Sequence, residues 1–141
     1  MSIEENKSLA RRLFEEFVFK GDLAVADKIL AADFVNHNPG LGTTPDREGL
    51  KQFVSMMLGA FLDLHGTVED VIAEGDKVTV RMTATGTHKG EFMGIPPTGK
   101  QITVSAMGVF RIAGGKVVER WAIIDQLSML QQLGILPTPG Q

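Results

Sequence analysis

The hydrophobic period of this chain changes near His65, and that change restricts the fold more than any other feature. Before it, apolar residues recur at three- and four-residue intervals; after it, they alternate. Leu9, Leu13 and Phe17, flanked by Ala10, Phe14 and Val18, form a wide helical stripe to about Phe19. Ser2 followed three residues later by Glu5 reads as a capping box opening that helix. Lys20-Gly21-Asp22 interrupts it, and Asp22 is placed to cap a second helix through Leu23, Ala26, Ile29 and Leu30. The stretch from Phe34 to Pro45 reads as a loop with one aromatic anchor and a cluster of hydrogen-bonding side chains. A third helix is expected from about Asp46 to Phe61 on Leu50, Phe53, Val54, Met57, Leu58 and Phe61, with Gly49 weakening its start.

Strands are expected over Thr67 to Glu74, from Val78 through Ala84, over Ile102 to Ile112 and over Val117 to Asp125. Glu74-Gly75-Asp76-Lys77 and Ala113-Gly114-Gly115-Lys116 supply the tight turns, and His88 to Lys100 is a long irregular connection. That connection ends Thr-Gly-Lys but lacks the spacing and the following helix of a phosphate loop; a lid or subunit contact is expected instead. Leu127, Leu130 and Leu133 predict a short final helix stopped by Gly134, and Pro137 and Pro139 an exposed tail. Helices followed by consecutive strands imply an α+β fold, a single domain over 1–141 with an antiparallel sheet. Gly66, Gly86 and Gly108 within or beside strands suit strong bending, which leaves a conical cavity between sheet and helices.

Composition narrows function chiefly by exclusion. At 43% apolar and 22% charged the chain reads as globular, and a net charge of −3 gives no electrostatic reason to expect nucleic acid or an anionic membrane. Without cysteine there is no thiolate nucleophile or thiolate metal site, and without tyrosine no phenol acid. His37, His65 and His88 lie far apart and never in HxH or HExxH spacing, so a metal centre is not expected. No run approaches the length of a membrane span, and the charged N-terminus lacks a signal-peptide core; the cytoplasm is the expected compartment. The residue that stands out is Asp125. It ends the last strand in the same alternation as Trp121 and Ile123, where a carboxylate either caps the following helix or lines a pocket.

Several segments recur together in one family: Phe61-Leu62-Asp63, Gly86-Thr87-His88-Lys89-Gly90, Gly94-Ile95-Pro96-Pro97-Thr98-Gly99-Lys100 and Phe110-Arg111-Ile112. With Gly115-Lys116, Trp121, Asp125 and Gln132-Leu133-Gly134, the chain resembles the SnoaL-like polyketide (ester) cyclases of the nuclear-transport-factor-2-like superfamily over nearly its whole length. One departure is Leu62, where many members carry proline. The resemblance implies a cone of helices on a strongly curved antiparallel sheet, a homodimer or larger assembly, and intramolecular aldol ring closure without metal or cofactor, a lyase or isomerase type of reaction. It implies Asp125 as general acid/base and a small apolar carbonyl or polyketide-like ligand.

Such chemistry needs a carboxylate made more basic by an apolar pocket, and Trp121 and Ile123 are expected to provide that pocket. His88 is expected at the cavity mouth as a carbonyl or enolate ligand, or else as a turn histidine bonded to backbone. His37, Phe34 and Met107 complete the expected lining. Two rivals share the fold: a non-catalytic ligand-binding or dimerisation module, and a ketosteroid-isomerase-like proton shuttle, which the absence of tyrosine disfavours.

Overall fold

Apart from one early strand and a short final helix, helices precede strands, as the change in period predicts. The computed structural model describes residues 2–140. Helix α1 (Ile3–Arg12) continues into a single π-helical stretch, Leu13–Val18; α2 spans Leu23–Ile29, β1 Leu30–Asn36 and α3 Arg47–Ala60. Then come β2 (His65–Glu74), β3 (Lys77–Thr87), β4 (Gln101–Ala113), β5 (Lys116–Ile124) and α4 (Gln126–Gln132). The Ser2–Glu5 capping box forms, with the Glu5 N–H donating to Ser2 Oγ at 3.1 Å. Asp22 occupies the N-cap position of α2, but its side chain makes no capping bond. Asp46 does cap α3, accepting from the Gly49 N–H at 2.8 Å. Gly49 is required by space: a Cβ there would stand 1.8 Å from the Thr44 carbonyl oxygen.

The sheet corrects one expectation. Strands β2 to β5 pair antiparallel in sequence order, but the five-stranded order is β1-β5-β4-β3-β2 and β1 runs parallel to β5. The sheet is thus curled, open and mixed. Strand β1 lies where the end of the second helix and the start of a loop were expected. Its burial does not alternate, and its pairing to β5 is irregular between Leu30 and Val35, so the two-residue period that reveals a strand is absent.

A second irregularity decides which way β5 faces. Ile112 pairs with Val117 but Arg111 pairs with Glu119, so β5 carries an extra residue at Val118. A one-residue bulge exchanges the two faces of everything beyond it. Val117 is fully buried, yet it is Arg120, Ala122 and Ile124 that line hollows among the core side chains inside the curl. Glu119, Trp121, Ile123 and Asp125 turn to the outer face.

The inner face of β3 and β4 carries Val78, Val80, Met82, Ala84, Ile102, Val104, Phe110 and Ile112, all buried. One core cluster joins these strands to Leu9, Leu13 and Phe17 and to Leu50, Phe53 and Val54 of α3. A second, at the other end of the sheet, gathers Ala60, Phe61, Phe92, Met129 and Leu133. Gly66 lets the Phe19 ring lie on the sheet, since a Cβ would stand 2.4 Å from it. The helices fill the cone so closely that two interior crevices hold only about 60 and 50 Å³.

Candidate functional site

A large hollow lies outside the cone, on the outer face of β4 and β5. It is an open trough of about 780 Å³ bordered by Met107, Val109, Trp121, Ile123, Leu127, Ser105, Thr79 and Asp125. Antiparallel register produces it directly: Met107 stands opposite Ile123 and Val109 opposite Trp121. Ile123, Leu127 and Met107 are 74%, 60% and 55% exposed, a high apolar exposure for one patch.

Asp125 closes one end of the trough at the junction of β5 and α4. Its N–H donates to the Ser105 carbonyl at 3.1 Å, and its carboxylate accepts from the Ser128 N–H at 3.1 Å. It is exposed, not buried as the reading from sequence required, and it caps α4 as the alternative held. The bulge at Val118 is the reason, because it turns Trp121, Ile123 and Asp125 outward together.

Trp121 forms a wall of the trough. His37 lies behind it, stacked on the indole with ring centroids 4.7 Å apart and planes at 3°. His37 Nε2 is 3.6 Å from Glu119, which also accepts from Arg111 Nη2 at 3.0 Å. The Arg111 guanidinium holds the Glu119 carboxyl below its ordinary range. So Trp121, Ile123, Met107 and Asp125 come together at one surface, with His37 in support.

Two expected lining residues are elsewhere. Phe34 is 2% exposed and packs in the first core cluster. His88 is fully buried, so it is not at a cavity mouth. The Thr98 N–H donates to its Nδ1 at 3.2 Å, which leaves the ring proton on Nε2, and the ring packs against Phe61 and edge-on to Phe92. The start of the connection from His88 to Lys100 is tied to α3: the Lys89 and Gly90 N–H groups both donate to the Ala60 carbonyl at its end.

A smaller hollow of about 260 Å³ opens at the mouth of the cone, and its key residue escaped sequence reasoning. It is lined by Asn38, Pro39, Gly40, Phe53, Arg120 and Ala122, with the end of β5. Arg120 is on the inner face, and burial lowers its pKa to about 10, so it remains a cation at neutral pH. Its Nη1 donates to Asn36 Oδ1 at 2.9 Å and to the Asn38 carbonyl at 3.3 Å. Asn38 Oδ1 accepts from the Ala122 N–H at 2.9 Å, and the His37 N–H donates to the Arg120 carbonyl at 2.9 Å. The polar run Asn36-His37-Asn38 is therefore the clamp that prolongs the β1–β5 pairing. The parity of the bulged strand hid Arg120, because regular alternation sends it outward.

Among the described residues no three His, Asp or Glu side chains are grouped to hold a metal ion, and no helix is long and apolar enough to cross a membrane. The family model described as SnoaL-like polyketide cyclase matches residues 8–133. No curated protein matches the chain in sequence. Among solved structures, the chain is 37% identical to IdmH, a candidate polyketide cyclase from Streptomyces antibioticus, with a TM-score of 0.80 over 92% of this chain and 98% of that one. It is 32% identical to AclR, a candidate hydroxylase from Streptomyces galilaeus, at 0.86 over 99% and 87%. TsrD from Streptomyces laurentii is 28% identical at 0.86 over 96% and 99%.

Proposed function

Since the chain belongs to the SnoaL-like polyketide cyclase family, we propose that it closes a ring in a bulky apolar carbonyl compound by intramolecular aldol chemistry, with Asp125 as general acid/base and no cofactor. The observation that carries this reading is the position of Asp125 at the end of the apolar trough, open to any ligand lying against Trp121, Ile123 and Met107. In the reaction the carboxylate takes a proton alpha to one carbonyl, and the enolate carbon bonds to a second carbonyl of the same molecule. The resulting alkoxide then takes the proton back. A ligand filling the trough displaces water from the carboxylate, which strengthens its interaction with the reacting centre. The trough volume falls in the range of small-molecule sites, and the flat indole suits a polycyclic product.

The homodimer implied by the family belongs to the same proposal. A second copy over Ile123, Leu127 and Met107 buries them and gives the trough its missing wall; sedimentation equilibrium reads that state. We place this work in the cytoplasm.

The test is Asp125→Asn assayed on a panel of polyketide esters and other enolisable carbonyls. Asparagine caps a helix as well as aspartate, so fold and ligand binding are retained while turnover is lost. Full activity in the variant removes Asp125 from the mechanism. The capping bond to Ser128 favours a second reading, a non-catalytic binding module whose aspartate is structural. Saturable binding without turnover of any panel member by the unmodified protein supports that reading.

A further inference from the structure

We propose that the cone mouth is an anion site in which Arg120 binds the carboxylate of a small apolar organic acid. Every other arginine of the chain has a carboxylate within ion-pair distance: Arg11 has Glu15, Arg12 Glu16, Arg47 Asp27, Arg81 Asp70 and Arg111 Glu119. Arg120 has none among the described residues, although it stands half-buried on the inner face of the sheet. Taking a cation even partly out of water without a counter-charge carries a desolvation cost. Its two neutral partners, Asn36 Oδ1 and the Asn38 carbonyl, offset only part of that cost.

The unused donors point to the ligand. Both protein bonds are made by Nη1, so Nε and Nη2 have no partner among the described residues. Those two N–H groups form the side-on edge of the guanidinium, which takes the two oxygens of a carboxylate in parallel. Asn36 fixes the fork: it is 2% exposed, and its Oδ1 also accepts from the Asn38 N–H at 3.1 Å. The rest of the hollow, about 260 Å³ in all, sets polar Asn38 and Gln126 against an apolar side made by Phe53, Pro39, Ala122 and Ile124. It shares Phe53, Arg120, Ala122 and Ile124 with the crevice of about 60 Å³ beside Phe17 and Leu50. A charged head on Arg120 and a one- or two-ring body against Phe53 satisfy both halves. Asp125 does not line this hollow, so the inference stands apart from the ring-closure proposal, although the two hollows share the end of β5.

The experiment compares 2-naphthoate with its methyl ester by isothermal titration calorimetry, with amide chemical shifts locating the site. The unmodified protein is expected to bind the acid at least ten-fold more tightly than the ester, with the largest shifts at Ala122 and Ile124. Arg120→Gln is expected to bring acid affinity down to that of the ester, and Arg120→Lys to fall between, keeping charge but losing the fork. Equal affinity for acid and ester, unchanged acid binding in Arg120→Gln, shifts confined to the trough, or no saturable acid binding each overturn the proposal. If Arg120→Gln does not fold, the acid–ester comparison and shift map on the unmodified protein decide alone. The readout is binding, so its failure leaves the turnover test of Asp125 unaffected, and the converse holds.

Discussion

The imidazole of His37 lies flat against the indole of Trp121, 4.7 Å away and 3° from parallel. The pair joins the loop after β1 to the outer face of β5, and Lys77 Nζ, 5.8 Å from the indole centroid, adds a cation to the same ring. His37 therefore sets the orientation of the wall against which a trough ligand rests.

Replacing His37 with alanine is expected to expose the indole and move its emission to longer wavelength. Trp121 is the sole tryptophan, so the change is read without interference. Loss of the stack is expected to cost at most about 1 kcal/mol in urea unfolding. Unchanged emission refutes this account of the wall.

Asp125 has a structural duty separable from any chemistry. Asp125→Ala is expected to lose about 1 kcal/mol through the missing bond to Ser128, and Asp125→Asn only a few tenths. Equal stability of the alanine variant and the parent shows that the cap carries no weight.

Gly49→Ala tests a close approach against helix propensity. Propensity alone favours alanine by about 1 kcal/mol. The Thr44 carbonyl oxygen, 1.8 Å from the new Cβ, reverses the sign. The variant is expected to be destabilised by roughly 2 kcal/mol or more in chemical denaturation. A stabilised variant shows that the loop before α3 yields freely.

Acid should weaken the fold through a few identifiable carboxylates. The Thr87 N–H, then its hydroxyl, hold Asp63 below the ordinary range; the Thr44 hydroxyl, then the Gly49 N–H, do so for Asp46. A folded pKa below the unfolded one gives stabilisation that is complete above the unfolded value, about 3.9 for aspartate. That stabilisation is lost as pH falls through the folded value. Melting temperature is therefore expected to hold above pH of about 5 and to drop below about 4. Asp63→Asn should flatten that acid limb, and an unchanged limb removes Asp63 from the explanation.

Helix α3 and the hairpins around β3, β4 and β5 were legible because each is written in local spacing. Strand β1 was not, because a strand whose register slips between Leu30 and Val35 leaves no period to read. The site was legible by grouping and illegible by side. Alternation correctly put Trp121, Ile123 and Asp125 on one face, but the extra residue at Val118 reversed that face relative to buried Val117. Apolar side chains then suggested an interior that the fold had filled with phenylalanines. Arg120 was invisible for the same reason, since an arginine between Glu119 and Trp121 reads as a surface charge until the register is known.

The bond from Arg120 to Asn36 spans 84 positions. During synthesis the helices and the first hairpin can emerge and begin to pack, but the parallel partner of β1 leaves the ribosome only after α3, β2, β3 and β4. Contacts this distant in sequence slow folding, so until then β1 presents an unpaired edge to other nascent chains. The mouth of the cone is completed only once β5 is made, and a truncation that removes β5 takes the clamp and the anion site away together.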